Sequence, residues 1–287
     1  MRRVTGLPGL VLVLSCMLAA FSLQAQTRTP AAPTPPADAK QDASSRTPRE
    51  RAWLILERGV REENRDKRAK AVRALGPLAS EPAAVGMAET ALEDKEPDVR
   101  VAAAHALGEM RSAKSVPKLE GAAHDADISV ALAAAQSLVI LKNATGYEVY
   151  YEVLTGERKS GEGMIKQQLD QLESPKKATE FAFEQGIGFV PFGGPAFEAI
   201  QMLTKKDPSP VRAFAASALA NDPDPASGAA LARALQDKNW IVRVAALKAI
   251  ALRNDRGILA QVDLATQDKV DDVRFAAAAS VVKLTGK

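Results

Sequence analysis

Recurring acid–base pairs are the side chains of this sequence whose types and spacing first suggest chemistry. In four places an aspartate stands five or six residues ahead of an arginine, as an acid and a base would in a reactive site. The pairs are Asp94 with Arg100, Asp207 with Arg212, Asp237 with Arg243, and Asp268 with Arg274. A catalytic pair is expected once in a chain. Fourfold recurrence therefore predicts a structural ladder, and we expect no catalytic residue in it.

The two histidines and the single cysteine do not form a further reactive set. His105 and His124 fall on different predicted helices, and neither belongs to a His-x-x-x-His or Glu-x-x-His arrangement. Cys16 lies in a segment that we expect the mature chain to lose, and disulfides and thiolate metal sites are lost with it. The sequence has no phosphate-binding glycine loop and no nucleophile elbow. We expect neither a metal nor a cofactor.

The first 25 residues have the pattern of a secretory signal peptide. Two arginines precede an apolar core, which ends in Leu-Gln-Ala at Ala25. Two glycines and a proline interrupt the apolar run near its start, whereas a permanent membrane anchor needs about 20 apolar residues. Residues 13–16, Val-Leu-Ser-Cys, loosely resemble a lipoprotein box, so lipid attachment at Cys16 is the alternative. We predict an exported protein that is periplasmic or secreted.

Composition separates a tether from a folded body. Residues 26–48 are rich in proline, alanine, serine and threonine and hold no large apolar residue, which is typical of a disordered linker. Aromatic residues make up only 5% of the chain, which favours closely packed helices over a sheet. The 38 basic and 35 acidic residues nearly balance, and without a basic cluster we expect no nucleic-acid binding. The body, residues 49–287, is predicted to be all-α.

An internal repeat organises this body. Four segments share one template, in which a turn aspartate precedes Val-Arg or its equivalent, and a run of small apolar residues follows. These segments are 94–110, 207–220, 237–250 and 268–281. Segments 67–76 and 125–138 follow it in part, with Ala131 replacing the arginine in the second. The key position of the template is its arginine, or Ala131 where the arginine is replaced. The key positions are 68, 100, 131, 212, 243 and 274, which lie 32, 31, 81, 31 and 31 residues apart. A period near 31 accommodates two helices and two turns, so about seven helical hairpins are expected.

Each hairpin needs a second helix whose apolar face packs on its neighbours. In one such helix the apolar residues recur at intervals of three and four. They are Val99, Ala102, Ala103, Ala106, Leu107 and Met110. Ser209 and Asn239 are predicted N-caps. An arginine in the first turn opposes the helix macrodipole by roughly 0.3–1 kcal/mol, so we expect the aspartate about six residues earlier to compensate it.

The template resembles HEAT repeats, in particular the PBS lyase HEAT-like repeats, over residues 66–141 and 195–285. The resemblance implies a right-handed α-solenoid whose second helices line an inner, partner-binding surface. It also implies, as an alternative, a bilin-lyase-like enzyme or chromophore chaperone, and a structural envelope protein is a third class. Some enzymes with HEAT repeats, the deoxyhypusine hydroxylases, carry paired His-Glu motifs for two irons. His105 and His124 are followed by alanine and aspartate, so this motif is not matched.

The middle of the chain departs from the period. The 81-residue interval fits one repeat of 31 plus a degenerate repeat, with helices at 146–154 and 163–173, and an insertion at 175–194. Phe189 and Phe192 lie on a glycine-flanked loop of this insertion. Three interpretations remain open: a packed loop, an exposed apolar patch that docks a partner, and a shallow membrane contact through residues 186–194.

We predict a non-catalytic scaffold that binds another protein or peptide. Residues one and five positions after the key arginine stand off the apolar stripe of the second helices, where they form a mixed polar and apolar strip. The candidate contacts are Val101, His105, Leu132, Gln136, Val244, Lys248 and Phe275, together with Phe189 and Phe192 of the insertion. The alternative is that the strip packs against neighbouring repeats.

Overall fold

The computed structural model describes residues 46–156 and 208–286, all of which belong to one compact unit. Both ranges consist of helices and short turns, without a β-strand, so the all-α prediction is confirmed. The predicted signal peptide, most of the linker, the helix at 163–173, the insertion at 175–194, Phe189 and Phe192 lie outside the described residues. Within the described ranges, no helix is long and apolar enough to cross a membrane.

The described helices are numbered here in chain order. The first range holds α1 (Pro48–Gly59), α2 (Arg65–Ala74), α3 (Pro82–Ala91), α4 (Pro97–Met110), α5 (Val116–Ala122), α6 (Ile128–Ile140) and α7 (Thr145–Thr155). The second range holds α8 (Ser209–Ala218), α9 (Pro225–Ala234), α10 (Trp240–Arg253), α11 (Leu259–Leu264) and α12 (Asp271–Thr285). Helix α7 matches the helix predicted at 146–154.

Side-chain caps fix several helix starts. Thr47 and Glu50 form a reciprocal capping box at α1, so the folded body begins just inside the predicted linker. Asn239 caps α10 by accepting a hydrogen bond from the Ile241 amide, as predicted. Ser209 is not the N-cap of α8. The helix already includes it, and its buried hydroxyl instead accepts a hydrogen bond from Arg212.

Hairpins form between α3 and α4, α5 and α6, α9 and α10, and α11 and α12, and the second helices of successive hairpins stack on each other. The predicted apolar stripe of α4 is fully buried. Its alanines allow the helices to approach closely. Ser137 and Ser280, which hold equivalent positions in α6 and α12, each donate a buried hydrogen bond to a main-chain carbonyl of the preceding second helix.

The last helix packs against the first two. Helix α12 lies on α1 and α2 as well as on α10, and ten of its residues are buried, among them every residue from Phe275 to Val282. The terminal helix of an open row of repeats would keep one apolar face in water. Helix α12 does not, because the N-terminal helices cover that face.

Polar contacts reinforce this closure. Arg49 of α1 donates to the Val282 carbonyl at 2.6 Å, and Arg51 pairs with Asp263 of α11 at 2.6 Å. Lys283 of α12 donates to the Pro77 carbonyl at 3.0 Å. Gly59 at the end of α1 lies so close to Phe275 that an added Cβ would be 2.5 Å from the ring. The two ends of the described chain therefore form one packed junction.

Candidate functional site

The recurring arginines form a ladder that joins successive turns. In each rung the guanidinium binds a turn aspartate in bidentate geometry, with nitrogen–oxygen distances of 2.7–3.1 Å. The rungs are Arg68 with Asp94, Arg100 with Asp125, Arg212 with Asp237, and Arg243 with Asp268. The aspartate whose side chain binds each arginine thus lies 25 or 26 residues C-terminal to it, in the next repeat. It is not the aspartate about six residues N-terminal to the arginine that we predicted.

The earlier aspartate contributes its main chain instead. Arg100 Nη1 donates to the Asp94 carbonyl at 2.9 Å, and Arg243 Nη1 donates to the Asp237 carbonyl at 2.8 Å. Each aspartate side chain also accepts the amide two residues later, which closes its turn. One guanidinium therefore ties two consecutive turns together, and the hydrogen bonds offset the unfavourable position of the cation at the helix start.

The ladder has defined ends. Ala131 replaces the arginine in α6, so no rung continues from that helix. Arg274 in α12 pairs with Asp271 in its own first turn and lies over the Phe275 ring at 5.6 Å. Asp207 lies outside the described residues, and its predicted partner, Arg212, binds Asp237. The ladder is structural in its geometry, because each of its carboxylates accepts two hydrogen bonds from an arginine and one from a main-chain amide.

The pKa values of three ladder carboxylates, Asp94, Asp125 and Asp237, are lowered, which favours their ionised form. The hydrogen bonds from Arg68 lower the pKa of Asp94, against the opposing effect of burial. Burial is the strongest single influence on the pKa of Asp125 and Asp237 and raises it, but arginine and main-chain donors together outweigh burial and lower both pKa values. These carboxylates therefore stabilise the fold as anions.

The stability that these three carboxylates contribute is expected to disappear in acid. A carboxyl whose folded pKa lies below its unfolded value of about 4 stabilises the fold fully above that pH, and the contribution is lost as the pH falls through the folded pKa. The native protein should therefore be more stable than Asp94→Asn at neutral pH, and the difference should narrow below about pH 4. Melting temperatures of both proteins between neutral and acidic pH test this. A difference that stays constant would contradict it.

The predicted partner-binding strip is partly buried. Val101, Val244 and Phe275 are packed inside the body, because α4, α10 and α12 have helices on both sides. These three residues are therefore corrected from candidate contacts to packing residues, which was the alternative interpretation. Gln136 is exposed, and the remaining described members are partly exposed; these are His105, Leu132 and Lys248. A binding role for them stays a prediction.

A trench crosses the end junction on the second helices. It is shallow, with a solvent-accessible volume of about 40 Å³, and runs over α12 between α10 and α2. Its lining residues are Lys70, Arg73 and Ala74 of α2, Trp240, Val244 and Lys248 of α10, and Asp272 and Ala276 of α12. Lys70 and Asp272 form an ion pair at 2.7 Å. The sequence pattern singled out only Val244 and Lys248 of this set, because the other residues become neighbours only where the ends meet.

The repeat pattern and this packing have counterparts in a known family. Residues 54–139 and 198–282, together more than half of the chain, match the family of HEAT repeats. The chain belongs to the HEAT-repeat family. The resemblance noted in the sequence is thereby confirmed, and the α-solenoid of helical hairpins is the fold expected of HEAT repeats. No curated protein sequence matches the chain.

Solved structures similar to this HEAT-repeat protein include two natural proteins and one engineered protein. The complex of CpcE and CpcF of phycocyanin lyase from Nostoc sp. PCC7120 is 21% identical, with 89% of this chain and 100% of that chain covered and a TM-score of 0.32. Human deoxyhypusine hydroxylase in complex with glycerol is 16% identical, with 83% and 96% covered and a TM-score of 0.33. The engineered protein is 17% identical, with 82% and 96% covered and a TM-score of 0.28. At these TM-scores the superpositions support no conclusion about function.

The described HEAT repeats hold no convergent metal-ligand set. Nowhere in residues 46–156 and 208–286 do three or more His, Cys, Asp or Glu side chains group closely enough to hold a metal ion. His124 is exposed, and its Nδ1 lies 2.9 Å from the Glu120 carbonyl oxygen. A HEAT-repeat fold by itself shows neither catalysis nor its absence. The expectation of a protein without metal or cofactor therefore stays a prediction.

Proposed function

We propose that this HEAT-repeat protein is a non-catalytic scaffold that binds another polypeptide in the periplasm or outside the cell. The observation that carries the proposal is the row of second helices, which presents polar side chains at one register position in successive repeats. That position, five residues after the key position, holds Arg73, His105, Gln136, Ser217 and Lys248 in five of the second helices and the buried Ala279 in α12. Gln136 is exposed. Such a row suits a long partner segment better than a small substrate.

The rigidity of the ladder supports a scaffold role. Each rung fixes the turn of one repeat to the turn of the next, so the spacing of the second helices is set before a partner arrives. A preorganised surface loses less conformational entropy on binding than a flexible one. The export part of the proposal rests on the signal-peptide pattern of residues 1–25.

Photo-crosslinking in the native cell tests the proposal. A photoreactive residue at Gln136, and separately at Lys248, is expected to capture one defined polypeptide, found in the periplasmic fraction or in the medium. The double variant Gln136→Glu with Lys248→Glu should weaken capture from a third position, Leu132, while helicity and melting temperature remain unchanged. Capture of no polypeptide from any position would contradict the scaffold function, and a captured chromophore would favour the enzyme alternative.

A further inference from the structure

Helix α7 presents a row of large side chains to water. Tyr147, Tyr150, Tyr151 and Leu154 recur at intervals of three and four residues, so they line one side of the helix. Tyr147 and Tyr151 are each 62% exposed, and Leu154 is 86% exposed. These four residues, called here the tyrosine face, include every tyrosine of the chain. Clustered exposed apolar side chains mark interaction sites, whereas single ones scattered over a surface do not.

The tyrosine face sets α7 apart from α3, α5 and α9, the first helices of three hairpins. Their exposed positions hold only proline, glycine, alanine, threonine, lysine or arginine. Helix α7 packs on α6 through a different side. Gly146 and Val149 are buried, and a Cβ added to Gly146 would lie 2.5 Å from the Ala135 carbonyl oxygen of α6. The tyrosines are therefore not needed to hold α7 in place.

An acidic edge runs beside the tyrosine face. Glu148 lies three residues before Tyr151, so the two side chains are neighbours on the helix surface. Glu148 is exposed, and within the described residues its carboxylate takes part in no ion pair or hydrogen bond. Glu152 has an interaction of its own, and α7 holds no lysine or arginine. Glu148 is thus available to a partner, and its complement is a cation.

Shape and charge together select the kind of partner. A convex helix surface offers a small molecule no cavity, whereas another helix packs on it through residues at the same spacing. Two α7 helices from two copies, paired antiparallel, would align their acidic edges, where like charges repel. An anionic lipid surface would be repelled in the same way. Arginine suits this edge best, because it can pair with Glu148 and stack on a tyrosine ring.

We propose that the tyrosine face binds a basic amphipathic helix of a partner polypeptide. Apolar side chains of this helix pack on Tyr147, Tyr151 and Leu154, and an arginine pairs with Glu148 at the edge. Tyrosine and arginine are among the residues that dominate the binding energy of many protein interfaces. This inference rests on the proposed scaffold function and specifies the chemistry of the partner.

Fluorine NMR tests the proposal, because all three tyrosines of the chain lie on the tyrosine face. In protein labelled with fluorotyrosine every resonance reports on this surface, and single Tyr→Phe variants assign the resonances. The probe is a short helical peptide with leucines along one side and arginines beside them. Its control carries glutamates in place of the arginines. The arginine peptide is expected to shift the resonances saturably and to bind more weakly as the salt concentration rises.

Matched variants locate the interaction. Glu148→Lys should weaken the Kd of the arginine peptide by about tenfold or more and should improve binding of the glutamate peptide. Glu93→Lys makes the same charge change at an exposed position in another hairpin, and it should leave both Kd values within about twofold, because a distant charge is screened. Tyr151→Ala should weaken binding of the arginine peptide by about tenfold. Its melting temperature should stay unchanged, because the side chain is exposed.

Other results would overturn the inference. Equal binding of the two peptides would show that charge is not recognised. Resonances that move with protein concentration alone would identify a second copy as the occupant, and resonances that move only with anionic phospholipid vesicles would identify a membrane contact. Unmoved resonances, together with crosslinks from position 151 to residues 157–207, would show that the chain covers the face itself. If crosslinking at Gln136 captures a polypeptide while the arginine peptide moves no resonance, the scaffold function stands and only this inference fails.

Discussion

Replacing Arg100 by methionine is expected to lower the free energy of unfolding by about 2–3 kcal/mol. Arg100 donates two hydrogen bonds to Asp125 and two to the carbonyls of Asp94 and Lys95. Its side chain and that of Asp125 each retain only 16% of their exposure. Methionine fills similar space but leaves the Asp125 carboxylate without its cation in a poorly hydrated place. Chemical denaturation of both proteins measures the difference.

The same substitution at Arg212 is the matched control. Arg212 occupies the equivalent position of its repeat, but its side chain is 37% exposed and its hydrogen bonds to Asp237 are longer, at 3.1 Å. We expect Arg212→Met to cost about 1 kcal/mol or less, since exposed ion pairs contribute little. A double variant, Arg100→Met with Asp125→Asn, should cost less than the sum of the single changes. Equal losses at the two arginines would contradict this account of the ladder.

Replacing Gly59 by alanine is the second change with a large expected effect. An added Cβ would lie 2.5 Å from Phe275 Cε1 and 2.7 Å from Ala71 Cβ, so α1 or the Phe275 ring has to shift. Overpacking of this kind costs about 1–3 kcal/mol. The loss should appear at the junction of the two ends, with faster amide hydrogen exchange in α1 and α12 than in α4. Denaturation and hydrogen exchange of the variant measure both effects.

Gly86 provides the control for this test. It lies inside α3, and a Cβ added there would have no atom within 4 Å. Gly86→Ala should stabilise the protein by about 0.5–1 kcal/mol, because alanine is the better helix former. If Gly59→Ala behaved like Gly86→Ala, α1 would not pack on Phe275 as described. The pair of variants therefore separates the cost of closure from the intrinsic gain of replacing glycine by alanine in a helix.

The closed junction changes how the HEAT repeats are expected to unfold. In an open row the end repeats contact one neighbour each and fray first. Here α12 is buried by α1 and α2, and Arg49 links α1 to both Val282 and Glu81. The first and last repeats therefore protect each other. The trench over this junction is most complete when both ends are folded, which couples its integrity to the stability of the whole body.

Local patterns in the sequence were enough for the helices and the repeat. The stripe from Val99 to Met110, the N-cap Asn239 and the period near 31 depend on interactions within a few residues, and the structure places them as expected. The ladder residues could also be identified, since an arginine at the start of a helix is costly and its recurrence requires a partner. The sequence could not say which aspartate is that partner. Arg100, for example, has one turn aspartate, Asp94, six residues before it and another, Asp125, 25 residues after it.

Only the tertiary structure decided what the repeats do together. Arg100 reaches Asp125 because stacking places the next turn beside its guanidinium, while the carboxylate of Asp94 is bound by Arg68. Phe275 is buried because α1 returns to cover it, and Lys70 faces Asp272 for the same reason. Closure of the ends depends on small rotations that accumulate from one hairpin to the next. No local pattern encodes that sum. The repeat pattern of the sequence therefore predicted HEAT-like helices, whereas their packing alone created the trench.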